Sequence, residues 1–175
     1  GIRAWSGRGA WAFLLPARAV AAAAWRLGAA WRGGAAPPPP GGRRPRVISV
    51  GNLEVGGGGK TPFAILLAGA VRDGGGRPVV VTRGYRSRVE RKKRTPYALP
   101  AGAPVADAAA AGVEIAPPGD PDPDVAGDEA CLYASRGIPV VIDPDRSRGV
   151  SAATSLFDPT HVILDDAFQH RAVWR

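Results

Sequence analysis

The chain has 175 residues and a formal net charge of +8, from 23 Lys+Arg against 15 Asp+Glu, and 45% of its residues are hydrophobic. That length suits one domain with an appendage, and the apolar fraction excludes a purely disordered or solvating role. Its single cysteine, Cys131, excludes a disulfide framework or multi-cysteine metal centre and accords with a reducing compartment.

The charge is concentrated at one end. Residues 1–53 hold eight arginines and no acid, leaving 15 basic and 15 acidic residues in the rest. A basic appendage on a neutral domain is expected, rather than a uniformly basic protein.

Four of the five tryptophans, Trp5, Trp11, Trp25 and Trp31, fall within residues 1–32. Val20, Ala24, Leu27 and Trp31 recur at i, i+4, i+7 and i+11, one stripe of a helix, with Arg18, Arg26 and Arg32 largely off it. Tryptophan on an apolar face, arginine elsewhere and no acid is the pattern of a helix lying in an anionic membrane interface. A helix packed on its own domain and a basic arm binding nucleic acid are the alternatives. No run reaches the ~20 apolar residues of a membrane span, and no apolar core precedes a signal-peptide cleavage site. Residues 33–46, with four consecutive prolines between glycine pairs, form a semi-rigid linker. A domain is expected over 47–175.

Within it, residues 47–50 (VISV) form a buried strand running into a glycine loop, and residues 61–71 a helix that tolerates Pro62 in its first turn and stops at Asp73 and Gly74. Residues 79–81 (VVV), 139–143 (PVVID) and 161–165 (HVILD) are further buried strands. Apolar strands alternating with helices imply a mostly parallel sheet covered on both faces, an α/β fold. Residues 83–94 carry seven basic residues and only Glu90, and read as an exposed basic loop; residues 120–124 (DPDPD) read as loop as well.

Three segments carry chemistry. In GNLEVGGGGKT (51–61), Gly56, Gly57, Gly58 and Gly59 stand between a strand and a helix, where side-chain-free backbone lets N–H groups converge on phosphate. The helix N-terminus adds about half a positive charge. Lys60 would neutralise β/γ-phosphate charge, and the Thr61 hydroxyl would ligate Mg²⁺. Glu54 stands where the usual phosphate-loop pattern starts with glycine. Second, the strand ending in Asp165-Asp166 places two acids where such proteins hold Mg²⁺, and adjacent acids favour a nearby cation. Third, Gly127-Asp128-Glu129 opens a helix, with Asp128 either a capping residue or a catalytic one.

Residues 47–62 (VISVGNLEVGGGGKTP), 82–85 (TRGY), 127–129 (GDE), 138–146 (IPVVIDPDR) and 163–170 (ILDDAFQH) together resemble, in order and spacing, the tetraacyldisaccharide 4′-kinase (lipid A 4′-kinase) family. Departures are Ala167, where the family usually has glycine, and length, since Arg175 falls where the family's second half would begin. With no initiating methionine either, a fragment is expected. The non-glycine at Glu54 is usual in that family.

The resemblance implies a P-loop kinase that uses ATP and Mg²⁺. Its γ-phosphoryl would pass to the 4′-hydroxyl of a tetraacylated glucosamine disaccharide 1-phosphate, giving lipid IVA. It makes Asp128 the base on the sugar hydroxyl, aided by a histidine of the second half. Lys60 and Thr61 become the phosphate-loop pair, Asp165 and Asp166 the Mg²⁺-associated acids that organise the site, and Arg83 a phosphate contact; Gln169 and His170 match without a role. It also implies peripheral attachment to the cytoplasmic face of the bacterial inner membrane, with no nucleic acid and no obligate protein partner. A P-loop ATPase of the partition or carrier type, acting on a protein, is the competing enzyme class. A membrane- or nucleic-acid-binding module with incidental glycines is the non-enzymatic one.

Overall fold

The computed structural model describes residues 44–51, 59–92 and 95–165. The amphipathic stretch 1–32, most of the linker, Gly56, Gly57, Gly58, Asp166, Gln169 and His170 lie outside them.

Among the described residues the strands are β1 (Arg46–Val50), β2 (Pro78–Thr82), β3 (Tyr97–Leu99), β4 (Glu114–Ile115), β5 (Val140–Ile142) and β6 (His161–Asp165). The helices are α1 (Lys60–Asp73), α2 (Arg88–Lys92), α3 (Pro123–Ala126), α4 (Asp128–Ser135) and α5 (Arg146–Phe157). The strands form one sheet in the order β1-β6-β2-β5-β3-β4. β1, β6, β2 and β5 run parallel to one another, as expected for short β-branched runs buried on both sides.

The period-2 alternation of these strands divides the core in two. Val79, Val81, Val141, Val162 and Leu164 point to one face, against Val150, Ala153 and Leu156 of α5. Val80, Val140, Ile142 and Ile163 point to the other, against Ala64 and Ala68 of α1 and Ala130 and Tyr133 of α4. Burying each such valine contributes roughly 1.5–3 kcal/mol. Small residues at the contacts let the helices lie close. A Cβ on Gly149 of α5 would come within 2.8 Å of Val81 Cγ1.

α1 begins at Gly59, which holds φ +67°, and ends at Gly74, whose N–H donates to the Ala70 carbonyl at 3.1 Å. Pro62 sits in the first turn, where its missing donor costs nothing.

Three features differ from the expectation. β3 pairs antiparallel with β5, with β4 parallel to it beyond. Strands of three and two residues carry too little periodicity to read in advance. The basic run contains the short helix α2 rather than loop alone. Pro123 and Asp124 open α3, because the Asp122 side chain accepts the Asp124 N–H at 2.8 Å and proline suits a first helical position.

Candidate active site

The register brings the sequence motifs to one edge of the sheet. Val50, which leads into the glycine loop, is the partner of Asp165. On the other side of β6, Leu164 is the partner of Val81, and in the next pair Thr82 faces Ile142. The segments that follow Val50, Thr82, Ile142 and Asp165 therefore all leave from the carboxyl ends of parallel strands, where open α/β sheets bind ligands.

Two helices start at this edge. α1 opens with Lys60 and Thr61, and α4 with Asp128 and Glu129. The Thr61 hydroxyl approaches Glu129 Oε1 at 3.5 Å. One turn further along α4, the Tyr133 hydroxyl donates to Asp165 Oδ2 at 2.8 Å. Both Tyr133 and Asp165 are buried. Burial, followed by the Asp165 charge and its hydrogen bond, raises the Tyr133 pKa well above the ordinary phenol value. The phenol therefore stays protonated and donates to the carboxylate. Paired helix N-termini also place two positive dipole ends at the same edge.

Asp128 is exposed in the first turn of α4, and its position is set by glycine packing. Gly127 holds φ +90°, and a Cβ there would sit 3.4 Å from the Tyr85 carbonyl oxygen and 3.5 Å from the Gly84 carbonyl carbon. The Arg-Gly-Tyr turn after β2 thus lies against the turn that launches α4. Within it, Arg83 Nε forms an ion pair with Glu90 Oε1 of α2 at 2.6 Å. The other Glu90 oxygen accepts the Arg86 N–H at 2.7 Å. Tyr85 remains exposed beneath the Arg86 guanidinium, 5.2 Å from the ring centroid.

A charged cluster to which the sequence reading gives no role joins the ends of β5 and β6. Arg146 is buried and donates from Nη1 to the Asp143 carbonyl at 2.7 Å and from Nη2 to the Asp165 carbonyl at 3.3 Å, tying the end of β5 to the end of β6. Asp143, fully buried at the end of β5, takes Arg148 bidentately at 2.6 and 2.9 Å and the Asp145 N–H at 2.8 Å. That pairing raises the Arg148 pKa. Asp145 in turn caps α5, accepting the Ser147 and Arg148 N–H groups. Tyr133 and Glu129 were missed too. Their i, i+4 spacing, which puts both on the Thr61 side of α4, was the available signal.

Among the described residues no three His, Cys, Asp or Glu side chains cluster as a metal cage. Mg²⁺ asks for less: one or two carboxylates together with substrate phosphates. The hard-oxygen set of Thr61 and Asp165, linked through Glu129 and Tyr133, fits that ion. Gly59, Lys60, Thr61, Asp128, Asp165 and Arg83 all lie near the carboxyl edge, with Arg83 turned to Glu90.

The family described as tetraacyldisaccharide-1-P 4′-kinase (LpxK) matches residues 12–175. The chain belongs to this family. A tetraacyldisaccharide 4′-kinase of Hahella chejuensis is 38% identical over 133 residues, covering 75% of this chain and 33% of the relative. One from Syntrophus aciditrophicus is 39% identical over 132 residues, 74% of this chain and 31% of the relative. The fold resembles LpxK from Aquifex aeolicus, solved in complex with ATP, with a TM-score of 0.66 and 27% identity over 94% of this chain and 46% of that one. The chain thus spans about a third of the length of the curated relatives it matches.

Proposed function

We propose that this chain is the nucleotide-binding portion of a kinase that transfers the γ-phosphoryl of ATP to the 4′-hydroxyl of a tetraacylated glucosamine disaccharide 1-phosphate, giving lipid IVA. The observation that carries this reading is the register of Asp165 against Val50, which sets a strand-end carboxylate beside the last residue of the strand that precedes the glycine-rich sequence and Lys60. The LpxK family and the ATP complex of its Aquifex aeolicus member support the same reading.

Phosphoryl transfer needs positioning and charge neutralisation more than covalent help. Backbone N–H groups of Gly56, Gly57, Gly58 and Gly59 would cradle the phosphates, and Lys60 would balance charge on the β- and γ-oxygens. Thr61, Asp165 and Asp166 would hold Mg²⁺, which supplies further charge neutralisation when bound. Asp128 would accept the proton of the 4′-hydroxyl as its oxygen bonds to the γ-phosphorus and the β–γ bridging bond breaks, releasing ADP. Arg83 would leave Glu90 to meet a phosphate group of the substrate.

Residues 1–32 would anchor the enzyme peripherally at the cytoplasmic face of the bacterial inner membrane, with 33–46 as linker and 47–175 as the kinase domain. No helix among the described residues is long and apolar enough to cross a membrane. An acylated substrate resides in a bilayer, so its kinase must reach that surface.

The test is ATP consumption by the longer protein with and without the acylated disaccharide. Turnover that requires the disaccharide and disappears in Lys60→Ala supports the kinase. Hydrolysis stimulated by a protein and indifferent to the disaccharide overturns it in favour of a partition- or carrier-type ATPase.

A further inference from the structure

We infer that Tyr133 is a positioning residue for the cation site, orienting the Asp165 carboxylate and fixing its distance from the helix that carries Asp128. The inference rests on the kinase reading, which assigns Mg²⁺ to Thr61 and Asp165.

Asp165 is 1% exposed and Tyr133 is wholly buried, so neither side chain has bulk water to orient it. Their 2.8 Å hydrogen bond joins α4 to the carboxyl end of β6, two elements 32 residues apart in sequence. Removing the donor would take one hydrogen bond from a buried carboxylate, and a less firmly oriented carboxylate is a poorer ligand for an ion demanding near-ideal octahedral geometry. The same helix touches Thr61 through Glu129, four residues earlier. Asp128 precedes Tyr133 by five residues, about 7.5 Å along a helix axis. One phenol thereby fixes the spacing between the proposed base and the proposed metal ligand, while Glu129 reaches the hydroxyl proposed as the second ligand. Hydrogen-bonding partners of metal ligands tune affinity by about 10–100-fold in general.

The experiment uses the longer protein and its Tyr133→Phe variant, which keeps the ring and removes only the hydroxyl. Binding of a non-hydrolysable ATP analogue is measured by calorimetry with Mg²⁺ and again with EDTA. The Mg²⁺-dependent gain in affinity should fall about tenfold or more in Tyr133→Phe, while affinity in EDTA stays as in the wild type. The Mg²⁺ concentration for half-maximal turnover should rise more than kcat falls. In an Asp165→Asn background the Tyr133→Phe change should add nothing further, which separates orientation of the carboxylate from a general loss of packing. An unchanged Mg²⁺-dependent gain in Tyr133→Phe overturns the role and leaves the kinase reading standing. So does an effect of equal size in the Asp165→Asn background. A wild-type protein with no Mg²⁺-dependent nucleotide binding overturns the kinase reading, and this role with it.

Discussion

Gly84 and Gly127 meet backbone to backbone, the first in the turn after β2 and the second at the start of α4. Both hold positive φ, +69° and +90°. A Cβ on Gly84 would also collide with Ile142 and come within 2.8 Å of the Ser87 hydroxyl. This contact seats Asp128 beside the Arg-Gly-Tyr turn, so substitution should both destabilise the fold and displace the proposed base.

Gly84→Ala is expected to lower stability by about 1–3 kcal/mol, as strained backbone conformations generally do, with the steric clash added. Gly102 makes a natural control, because it has a similar φ of +82° but nothing within 4 Å of a Cβ. Denaturant midpoints of the two alanine variants should therefore differ, with Gly84→Ala the weaker. Equal losses would show that only the backbone angle matters.

The pairing of buried Asp143 with half-exposed Arg148 gives a second expectation. Arg148→Met removes two charge-assisted hydrogen bonds from a carboxylate that has no exposure of its own, at a cost of about 1.5–3 kcal/mol. Because much of that cost is the stranded charge, adding Asp143→Asn to Arg148→Met should recover part of the stability. Urea unfolding of the two single variants and the double variant measures this; a double variant weaker than Arg148→Met would contradict it.

The contrast between Lys60 and this cluster shows what was legible in the sequence. The places of Lys60 and Thr61 at a helix start and of Asp165 at a strand end could be read because both are local patterns with local context. The expected strands 47–50, 79–81 and 161–165 correspond to β1, β2 and β6, each a run of apolar, largely β-branched residues bounded by turn residues. By contrast, Arg146 matters because β5 and β6 both border β2, leaving their ends within reach of one guanidinium, a fact of strand order. Nothing near Tyr133 in sequence announces a carboxylate 32 positions later. β3 escaped notice because three residues between prolines hold no measurable period. Arg83 was expected at a phosphate, but local sequence could not show that Glu90, seven residues later in α2, would hold it.

Lys60 and Asp128 should fail in different ways in the longer protein. Asp128→Asn keeps the shape and removes the proton acceptor, so kcat should drop by about 10²–10⁴ with nucleotide affinity retained. Lys60→Ala should weaken nucleotide binding itself, since the lysine opposes phosphate charge before any chemistry. Calorimetry paired with initial rates separates the two. A variant of Asp128 that loses ATP binding, with kcat intact at saturation, would move that residue from base to nucleotide contact.

The Tyr133 phenol also predicts how stability responds to alkali. Its pKa in the folded protein lies well above the ordinary value of 10.0, because burial and the Asp165 charge both oppose the phenolate. Above that ordinary value the unfolded chain has given up its proton while the folded one retains it. The folded state then binds more protons, and unfolding free energy must fall as pH rises. The stabilisation is fully present below the ordinary phenol pKa and is lost progressively above it. Tyr133→Phe has no such proton to lose. Between about pH 10 and 11.5 the wild type should therefore lose stability more steeply than Tyr133→Phe. The variant keeps a shallower decline, since burial raises Tyr97 in the same direction. Guanidinium unfolding at several alkaline pH values supplies both slopes, and parallel slopes would mean that Tyr133 ionises as freely in the folded protein as in the unfolded chain.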